Sequence, residues 1–418
     1  MALICLKGII RMIVDIINKK RLGEELSFVE LRDFFEGYLD GKIADYQMSS
    51  LLMAICINGL TDEEVFALTK IFIDSGDVLN YKLNGPLVDK HSTGGIGDKT
   101  TLIVAPIVAA CGVNVIKMSG RGLGYTGGTI DKLESIPGFR VDLSEKEILK
   151  QAKDIGIVVS SQTNNLVPMD KAIYGLRDVT GTVASIGLIV ASIMSKKIAS
   201  GADSIVIDLK VGNGAIINNM KDANKLKELM IEVGKIYNKE VSVIISDMNT
   251  PLGYNIGNAL EVQEAIDVLR GREVNTHLVE VCYDLASEMI SLGKKISKKE
   301  ALIEVKNSID SGLAYGKFLD FVKSQGGDIN KLKVSKKTKN IRAYKSGKIT
   351  KIDALEFGKL SVKLGAGRTK LDDKIDYGVG IKLNKQLGDT VKRGELLATL
   401  YINKDMRIKS VKELIEIN

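Results

Sequence analysis

Residues 119–129 read SGRGLGYTGGT, and the string KHSTGGIGD occupies residues 90–98. Each glycine-rich string follows a strand-like run of β-branched residues and precedes a segment with helical spacing, which is typical of an α/β fold. Glycines let main-chain N–H groups converge on an anion, and the nearby hydroxyls and lysine can complete an anion site. We therefore expect residues 80–142 to form α/β structure that binds phosphate.

Two other interpretations of these glycines remain open at this point. Isolated glycine pairs usually only make turns, but here hydroxyls, a lysine and glycines cluster twice within forty residues. Gly122, Gly124 and Gly127, with Asp142 twenty residues beyond the first of them, also match a dinucleotide-binding fingerprint. That match is weak, because Asp142 follows no recognisable strand of a βαβ unit and a helical segment precedes the supposed first strand.

Helical segments interrupt the α/β pattern. Residues 13–76 contain no proline and repeat apolar side chains at helical spacing, and residues 169–200 form a second helical block. An insertion that returns to the first helical unit would explain this order. The predicted architecture is a small all-helical domain of residues 1–76 and 169–200, and a large α/β domain with a central mixed sheet of residues 80–165 and 201–335.

The C-terminal region has a different composition. Residues 331–351 contain nine Lys or Arg and no acidic residue, which favours a solvated linker. The string GDTVKRGELLATL at residues 388–400 resembles the barrel-sandwich hairpins of lipoyl-type modules, but it lacks the lysine of a carrier. We expect residues 345–418 to form an α+β, barrel-sandwich-like subdomain with no carrier role.

Composition excludes several classes of protein. The 418 residues are 45% apolar and 27% charged, which is typical of a folded globular chain with more than one core. The net charge is +7, but only 5% of the residues are aromatic and no basic stretch alternates with aromatics. A nucleic-acid polymer is therefore not the expected partner.

Cysteine usage and hydropathy point to the cytoplasm. The four cysteines are far apart without a C-x-x-C pair, so they predict core residues in a reducing compartment. Lys7 and Arg11 interrupt the apolar opening, which has no cleavage site, so we expect no signal peptide. The longest apolar runs are shorter than the ~20 residues that a membrane span needs.

The glycine loops belong to a longer set of matching segments. The string SGRGLGYTGGTIDKLESIPGF at residues 119–139 and the string KHSTGGIGD resemble the signature and the phosphate loop of the class II nucleoside phosphorylases, the family of thymidine and pyrimidine-nucleoside phosphorylases. Further similar segments follow the family order along nearly the whole chain: DYQMSSLLMAI (45–55), YGLRDVTGTV (174–183), SIMSK (192–196), PLGYNIGNALEV (251–262) and LGAGR (364–368).

The resemblance implies a function and a set of site residues. The implied reaction is the reversible phosphorolysis of uridine, thymidine and deoxyuridine to the free base and (deoxy)ribose 1-phosphate, by a homodimer whose cleft closes on its substrates. Inorganic phosphate is the co-substrate and no organic cofactor is implied. The residues matched to phosphate binding are Lys90, Ser92, Thr101, Lys117, Ser119 and Thr129. Those matched to the base are Arg177, Ser192 and Lys196, with His91, Leu123 and Tyr174 lining the pocket.

The chemistry of these residue types agrees with that division. Ser192 and Lys196 are four residues apart in a helical segment, so they share one face. Arg177 supplies a planar donor fork that suits the carbonyl edge of a pyrimidine. Because the departing base gains negative charge, cationic donors stabilise the transition state, and His91 can donate a proton or a hydrogen bond. Phosphate needs positioning more than activation, so no carboxylate pair is expected.

Lys117 stands at a position that varies within the family, and Lys99 departs from the family pattern. The position of Lys117 tends to be Met in thymidine-selective members and Lys in those that accept uridine, which predicts broad pyrimidine specificity; otherwise Lys117 only caps a strand. Some relatives carry a monovalent cation such as K⁺, and Lys99 stands where a small hydroxyl residue is usual. Its ammonium would repel the ion unless only its backbone oxygen faced inward. The matching metal positions are Gly97, Lys99, Leu252, Asn255 and Glu264.

Two alternative functions remain. A phosphoribosyltransferase of the anthranilate type shares the expected architecture, but it would need an acidic magnesium site, whereas Arg177 and Lys196 suit a neutral base. A nucleoside-binding protein without catalytic activity is the other alternative. The presence of Lys90 and Ser119 beside those two cationic residues argues against it.

Overall fold

The structure is a computed structural model that describes residues 2–122, 125, 127–163, 165–272, 275–368, 373–405 and 410–418, without the side chains of residues 2–11. The chain forms two compact units. Unit 1 comprises Met1–Tyr81, Thr163–Ala202 and Lys221–Val241, and unit 2 comprises Lys82–Gln162, Asp203–Met220 and Ser242–Asn418.

The helices are α1 (Ala2–Arg21), α2 (Phe28–Leu39), α3 (Asp45–Asn58), α4 (Asp62–Asp74), α5 (Thr100–Ala110), α6 (Thr129–Glu134), α7 (Glu145–Ile155), α8 (Pro168–Thr180), α9 (Ile186–Ala199), α10 (Met220–Ile236), α11 (Asn258–Leu269), α12 (Thr276–Lys294), α13 (Lys298–Asp310), α14 (Leu313–Ser324) and α15 (Ala354–Leu364). The strands are β1 (Val88–Ser92), β2 (Val115–Ser119), β3 (Ile157–Ser161), β4 (Ser204–Val211), β5 (Glu240–Asp247), β6 (Asn255–Ile256), β7 (Lys337–Arg342), β8 (Gly347–Ile352), β9 (Gly380–Leu383), β10 (Thr390–Val391), β11 (Leu396–Ile402) and β12 (Ile415–Ile417).

Unit 1 is helical because its segments carry both start signals and apolar faces. Capping boxes begin α2 and α4, where Ser27 and Thr61 accept the backbone N–H of a glutamate three residues later. The rings of Phe35 and Phe72 pack with their centroids 5.7 Å apart in the core. A buried ion pair of 2.7 Å joins Lys20 to Glu64. The expectation of a small all-helical domain is confirmed.

In unit 2, a parallel strand precedes each glycine loop. β1 pairs in parallel with β4, and β2 pairs in parallel with β3. The apolar helix α5 is buried along almost its whole length, since it lies in the core between these strands and α12 and α14. β1 and β2 both end immediately before a glycine loop, so the α/β prediction is confirmed and the two loops start at strand ends.

The C-terminal part of unit 2 is antiparallel. One sheet has the order β6-β9-β11-β7, a second has the order β10-β8-β12, and α15 packs in the same apolar cluster. The α+β expectation is confirmed. The linker interpretation of residues 331–351 is wrong, because β7 and β8 occupy most of that run. Their lysines lie on exposed strand positions, and buried Ile341, Ile349 and Ile352 hold the strands to the core.

The compact units differ from the predicted boundaries in two places. Most of α10 belongs to unit 1, where Lys225 forms an ion pair with Asp62 at 2.7 Å, although its position in the chain follows the α/β strand β4. The C-terminal region belongs to unit 2, since β9 pairs with the short strand β6. No helix in the described part of the chain is long and apolar enough to cross a membrane.

Candidate active site

Hydrogen bonds to Asp98 connect the start and the end of the first glycine loop. Ser92, the last residue of β1, donates from Oγ to Asp98 Oδ2 at 2.5 Å and accepts the N–H of Gly94 at 3.2 Å. Thr100, the first residue of α5, donates from Oγ1 and from its N–H to Asp98 Oδ1 at 2.6 and 3.1 Å. One carboxylate therefore joins the strand end to the helix start.

Buried lysines surround that carboxylate. Burial alone would raise the pKa of Asp98, but three nearby ammonium groups and the Ser92 hydroxyl hold its pKa well below the usual range. The ammonium groups belong to Lys210, Lys90 and Lys132. Asp98 is consequently a fixed negative charge at the base of the loop.

A second buried carboxylate supports Lys90. The Lys90 Nζ atom donates to Thr100 Oγ1 at 2.5 Å and lies 3.2 Å from Asp208 Oδ2. Asp208 also pairs with Lys210 at 2.9 Å and accepts the Ser246 hydroxyl at 2.7 Å. Sequence reasoning missed Asp208 and Lys210. The available signal was a charged pair inside β4, a strand in which every residue is buried.

The second loop closes around Asp131. Gly122 donates its N–H to Asp131 Oδ2 at 2.6 Å, and Arg368 pairs with Asp131 Oδ1 at 2.7 Å. A Cβ atom on Gly128 would lie 2.1 Å from the Gly122 nitrogen, so only glycine allows this approach. Thr129 follows as the first residue of α6. Leu123 lies outside the described residues.

The predicted phosphate residues of unit 2 lie in β1, β2, α5 and α6. Lys117 donates from Nζ to the carbonyl oxygen of Lys90 at 2.7 Å, which ties β2 to β1. Ser119 ends β2 and is partly exposed, while Thr101 is buried in the first turn of α5. His91 is partly exposed, and in β1 its backbone is aligned with Ile207 of β4.

Unit 1 brings together the predicted base residues on α8 and α9. Lys196 donates from Nζ to Ser192 Oγ at 3.0 Å and to Asp170 Oδ2 at 2.5 Å. The same ammonium lies 5.6 Å from the centre of the Tyr174 ring. Sequence reasoning missed Asp170, although it is four residues before Tyr174 and so shares its helical face.

The hydrogen bonds of Arg177 differ from the expectation that its guanidinium binds the base. Arg177 is 1% exposed, and its guanidinium donates to the carbonyl oxygens of Thr182, Val183 and Leu188 at 3.1, 2.7 and 3.2 Å. These bonds use three of its five N–H groups, so Arg177 holds the segment between α8 and α9 and has two N–H groups left. Burial lowers the pKa of Arg177. Because the ordinary pKa of an arginine is very high, the side chain remains a cation.

The residues matched to a monovalent cation do not fit one. Lys99 directs its side chain, rather than its backbone oxygen, into the site and donates to Leu252 O, Asn255 O and Glu264 Oε2 at 2.7, 2.8 and 2.7 Å. These are three of the oxygens that would ligate K⁺. Two positive charges ~3 Å apart repel by about 5 kcal/mol at an effective dielectric constant of about 20.

Known family models match three segments of this chain. Residues 14–76 match the helical bundle domain of the glycosyl transferase family, residues 84–315 match its a/b domain, and residues 348–418 match the pyrimidine nucleoside phosphorylase C-terminal domain. The pyrimidine-nucleoside phosphorylase of Staphylococcus haemolyticus is 49% identical over 415 residues, which is 97% of this chain and 96% of that protein. This chain belongs to the pyrimidine-nucleoside phosphorylase family.

Other relatives place the chain in the same family. The pyrimidine-nucleoside phosphorylase of Staphylococcus aureus strain N315 is 47% identical over 96% of this chain and 94% of its own length. Anthranilate phosphoribosyltransferase from Thermus thermophilus aligns with a TM-score of 0.58 over 74% of this chain and 99% of its own, at 18% identity. That likeness shows a shared fold. The resemblance to pyrimidine-nucleoside phosphorylases is confirmed.

Proposed function

We propose that this protein catalyses the reversible phosphorolysis of pyrimidine nucleosides, uridine, thymidine and deoxyuridine among them. The products are the free base and (deoxy)ribose 1-phosphate. The observation that carries the proposal is the Lys196 ammonium beside the Ser192 hydroxyl and the Tyr174 ring, in a chain whose other unit carries the two glycine loops proposed to bind phosphate. A cation, a hydroxyl and an aromatic surface suit a neutral base that leaves as an anion.

Phosphate would be bound by the loops of unit 2. The Lys90 ammonium and loop N–H groups are the proposed donors at the end of β1, and Thr101, Ser119 and Thr129 add hydroxyls. Ser92 would act by holding the loop, because its one hydroxyl hydrogen goes to Asp98. Asp98 and Asp208 fix the loop and the Lys90 ammonium before the substrate arrives, so little free energy is lost on ordering them. A phosphate oxygen attacks C1′ of the pentose from the face opposite the base.

The base would be bound by unit 1. As the C1′–N bond breaks, the base keeps the bonding electron pair, and Lys196 and Ser192 donate hydrogen bonds to its carbonyl oxygens. Arg177 would support this site by holding the segment between α8 and α9, and its two remaining N–H groups are the donors proposed for the same edge. His91 is the proposed proton donor to the leaving nitrogen, and the step needs no covalent enzyme intermediate.

We also propose that the protein is a cytoplasmic homodimer that uses inorganic phosphate as its co-substrate and needs no organic cofactor. The family resemblance supports these points. Sedimentation velocity tests the dimer, since a monomer over a wide concentration range would refute it.

The decisive experiment is incubation of the purified protein with uridine or thymidine, with and without phosphate, followed by chromatography of the free base. Base released only with phosphate, together with pentose 1-phosphate, supports the proposal. Release without phosphate would indicate hydrolysis, and no release with either nucleoside would refute it. An arm with anthranilate, phosphoribosyl pyrophosphate and Mg²⁺ tests the phosphoribosyltransferase alternative.

Lys196→Ala tests the base site. We expect loss of turnover with an unchanged circular dichroism spectrum, because the variant removes the donor to the base and leaves the helices intact. Lys235→Ala, on the exposed face of α10 where Lys235 pairs with Glu232 at 2.7 Å, is the matched control. Wild-type turnover in Lys196→Ala would remove this residue from the mechanism.

A further inference from the structure

We infer that the Lys99 ammonium is a built-in replacement for the monovalent cation, so that this protein holds its phosphate loop without K⁺. The inference deepens the proposed function and rests on it for the role of the loop. It depends on four features of unit 2: the hydrogen bonds of Lys99, the backbone around it, its neighbours in sequence and the local charge balance.

The ammonium is fully engaged. Lys99 is 1% exposed, and its three N–H groups have three acceptors: the carbonyl oxygens of Leu252 and Asn255 and the Glu264 carboxylate, all at 2.7–2.8 Å. Glu264 is equally well satisfied, since it also accepts the N–H groups of Tyr254 and Asn255 at 2.6 and 2.9 Å. A diffusible cation would have to displace the ammonium from its oxygens.

The backbone is shaped to the lysine tip. Gly253 has φ +84°, and a Cβ atom there would lie 2.7 Å from both Lys99 Nζ and Glu264 Oε2. Gly97 has φ +78°, and its Cβ atom would lie 2.7 Å from the Leu252 carbonyl oxygen. Gly253 lets the chain approach the ammonium, and Gly97 lets it approach one of the ammonium's acceptors, more closely than any other residue would allow.

The position of Lys99 gives this contact a role in the site. Lys99 lies between Asp98, which accepts a hydrogen bond from Ser92, and Thr100, which accepts one from Lys90. These two bonds hold the first glycine loop. The ammonium therefore anchors the junction of that loop and α5 to the segment 252–255 and to α11. Lys99 is a positioning residue, because it acts on the loop through its neighbours.

The charges at this junction are already balanced. Lys132 donates to the Asp98 carbonyl oxygen at 2.6 Å and pairs with Glu261 at 3.1 Å, while Lys99 pairs with Glu264. Two ammonium groups thus face two carboxylates of α11. An additional K⁺ would be an unbalanced positive charge in a buried setting.

The test compares wild-type protein with Lys99→Ser and Lys99→Met in KCl and in tetramethylammonium chloride of equal ionic strength. Melting temperature is the first readout, since it needs no substrate and so separates this inference from the proposed function. The KM for phosphate is the second. Lys225→Ser, at an exposed ion pair of unit 1, controls for general effects of salt.

We expect the wild-type melting temperature and phosphate KM to be the same in both salts. Lys99→Ser should melt lower and show a raised phosphate KM in tetramethylammonium, and K⁺ should restore both by binding the vacated oxygens. Lys99→Met should be impaired in both salts, because its side chain fills the space without a charge.

Three outcomes would overturn the inference. One is wild-type protein that K⁺ stabilises more than tetramethylammonium does, which remains measurable if a variant fails to fold. Another is Lys99→Ser with wild-type stability in both salts. The third is Lys99→Ser that is destabilised but insensitive to K⁺, since Lys99 would then be an ordinary buried ion pair.

Discussion

Asp170 and Lys196 form an ion pair that joins α8 to α9, with 2.5 Å between Oδ2 and Nζ. The carboxylate is 2% exposed, whereas 21% of the lysine side chain remains exposed. Among the described residues the second oxygen of Asp170 has no hydrogen-bond partner. The buried acid therefore sets the direction of an accessible cation, and the same cation contacts Ser192.

Asp170→Asn tests this arrangement. We expect kcat/KM for the nucleoside to fall by about 10–100-fold, chiefly through KM, because Lys196 loses the charge that orients it. The free energy of unfolding should fall by about 1–3 kcal/mol, as a buried partner is lost. Steady-state kinetics and urea unfolding measure the two effects. Asp178→Asn on the same helix is the control, and equal behaviour of the two variants would contradict the prediction.

Ser92→Ala should weaken phosphate binding selectively. The variant loses the hydrogen bonds to Asp98 and Gly94, so the loop is less ordered, and we expect the phosphate KM to rise about tenfold. The nucleoside KM should change little. Initial rates at varied phosphate measure the effect, with Ser49→Ala, at a partly exposed serine of α3, as control. An unchanged phosphate KM would show that the loop does not depend on this hydroxyl.

Lys117→Met should narrow the substrate range. Family resemblance associates Met at this position with thymidine selectivity, so we expect the uridine-to-thymidine ratio of kcat/KM to fall about tenfold. The variant also leaves the buried carbonyl oxygen of Lys90 without the Lys117 donor, which should lower the melting temperature. Competition between the two nucleosides gives the ratio directly. A constant ratio would show that Lys117 only connects β2 to β1 and does not affect the choice of substrate.

Asp98 should make stability depend on acid pH. Its folded pKa lies below its unfolded value, so its contribution is fully present above the unfolded pKa of about 3.9. That contribution is lost only as the pH falls through the lower folded pKa. Urea unfolding of wild type and Asp98→Asn should therefore show a constant difference at neutral pH and a shrinking one below about pH 4. A difference that changes near neutrality would indicate another titrating group.

Two cysteines should resist thiol reagents in the native protein. Burial raises the pKa of Cys282 to about 12 and, with the nearby Glu304 carboxylate, that of Cys111 to about 11. Few thiolates therefore exist at about pH 8. Iodoacetamide labelling followed by peptide mass spectrometry should modify neither residue before guanidinium is added and both afterwards. Rapid native labelling of Cys282 would mean that α12 opens readily.

Local features of the fold were predictable because their causes are local. Capping boxes and helical spacing mark the helices of unit 1, and β-branched runs before glycine loops mark β1 and β2. The candidate phosphate residues could be named for the same reason, since Lys90, Ser92 and Ser119 lie within or beside those loops. The linker prediction for residues 331–351 was wrong, because a strand with exposed lysines has the same composition as a solvated linker.

The amino-acid sequence by itself determined the α/β class, the helical unit, the two loops and the family, all of which depend on order and spacing along the chain. Only the tertiary structure decided the partners of the buried charges. Lys99 and Glu264 are 165 residues apart in the chain, and Lys90 and Asp208 are also distant, yet each pair lies within hydrogen-bond or ion-pair distance. A buried charge needs a partner, and which one it has depends on how distant strands and helices pack.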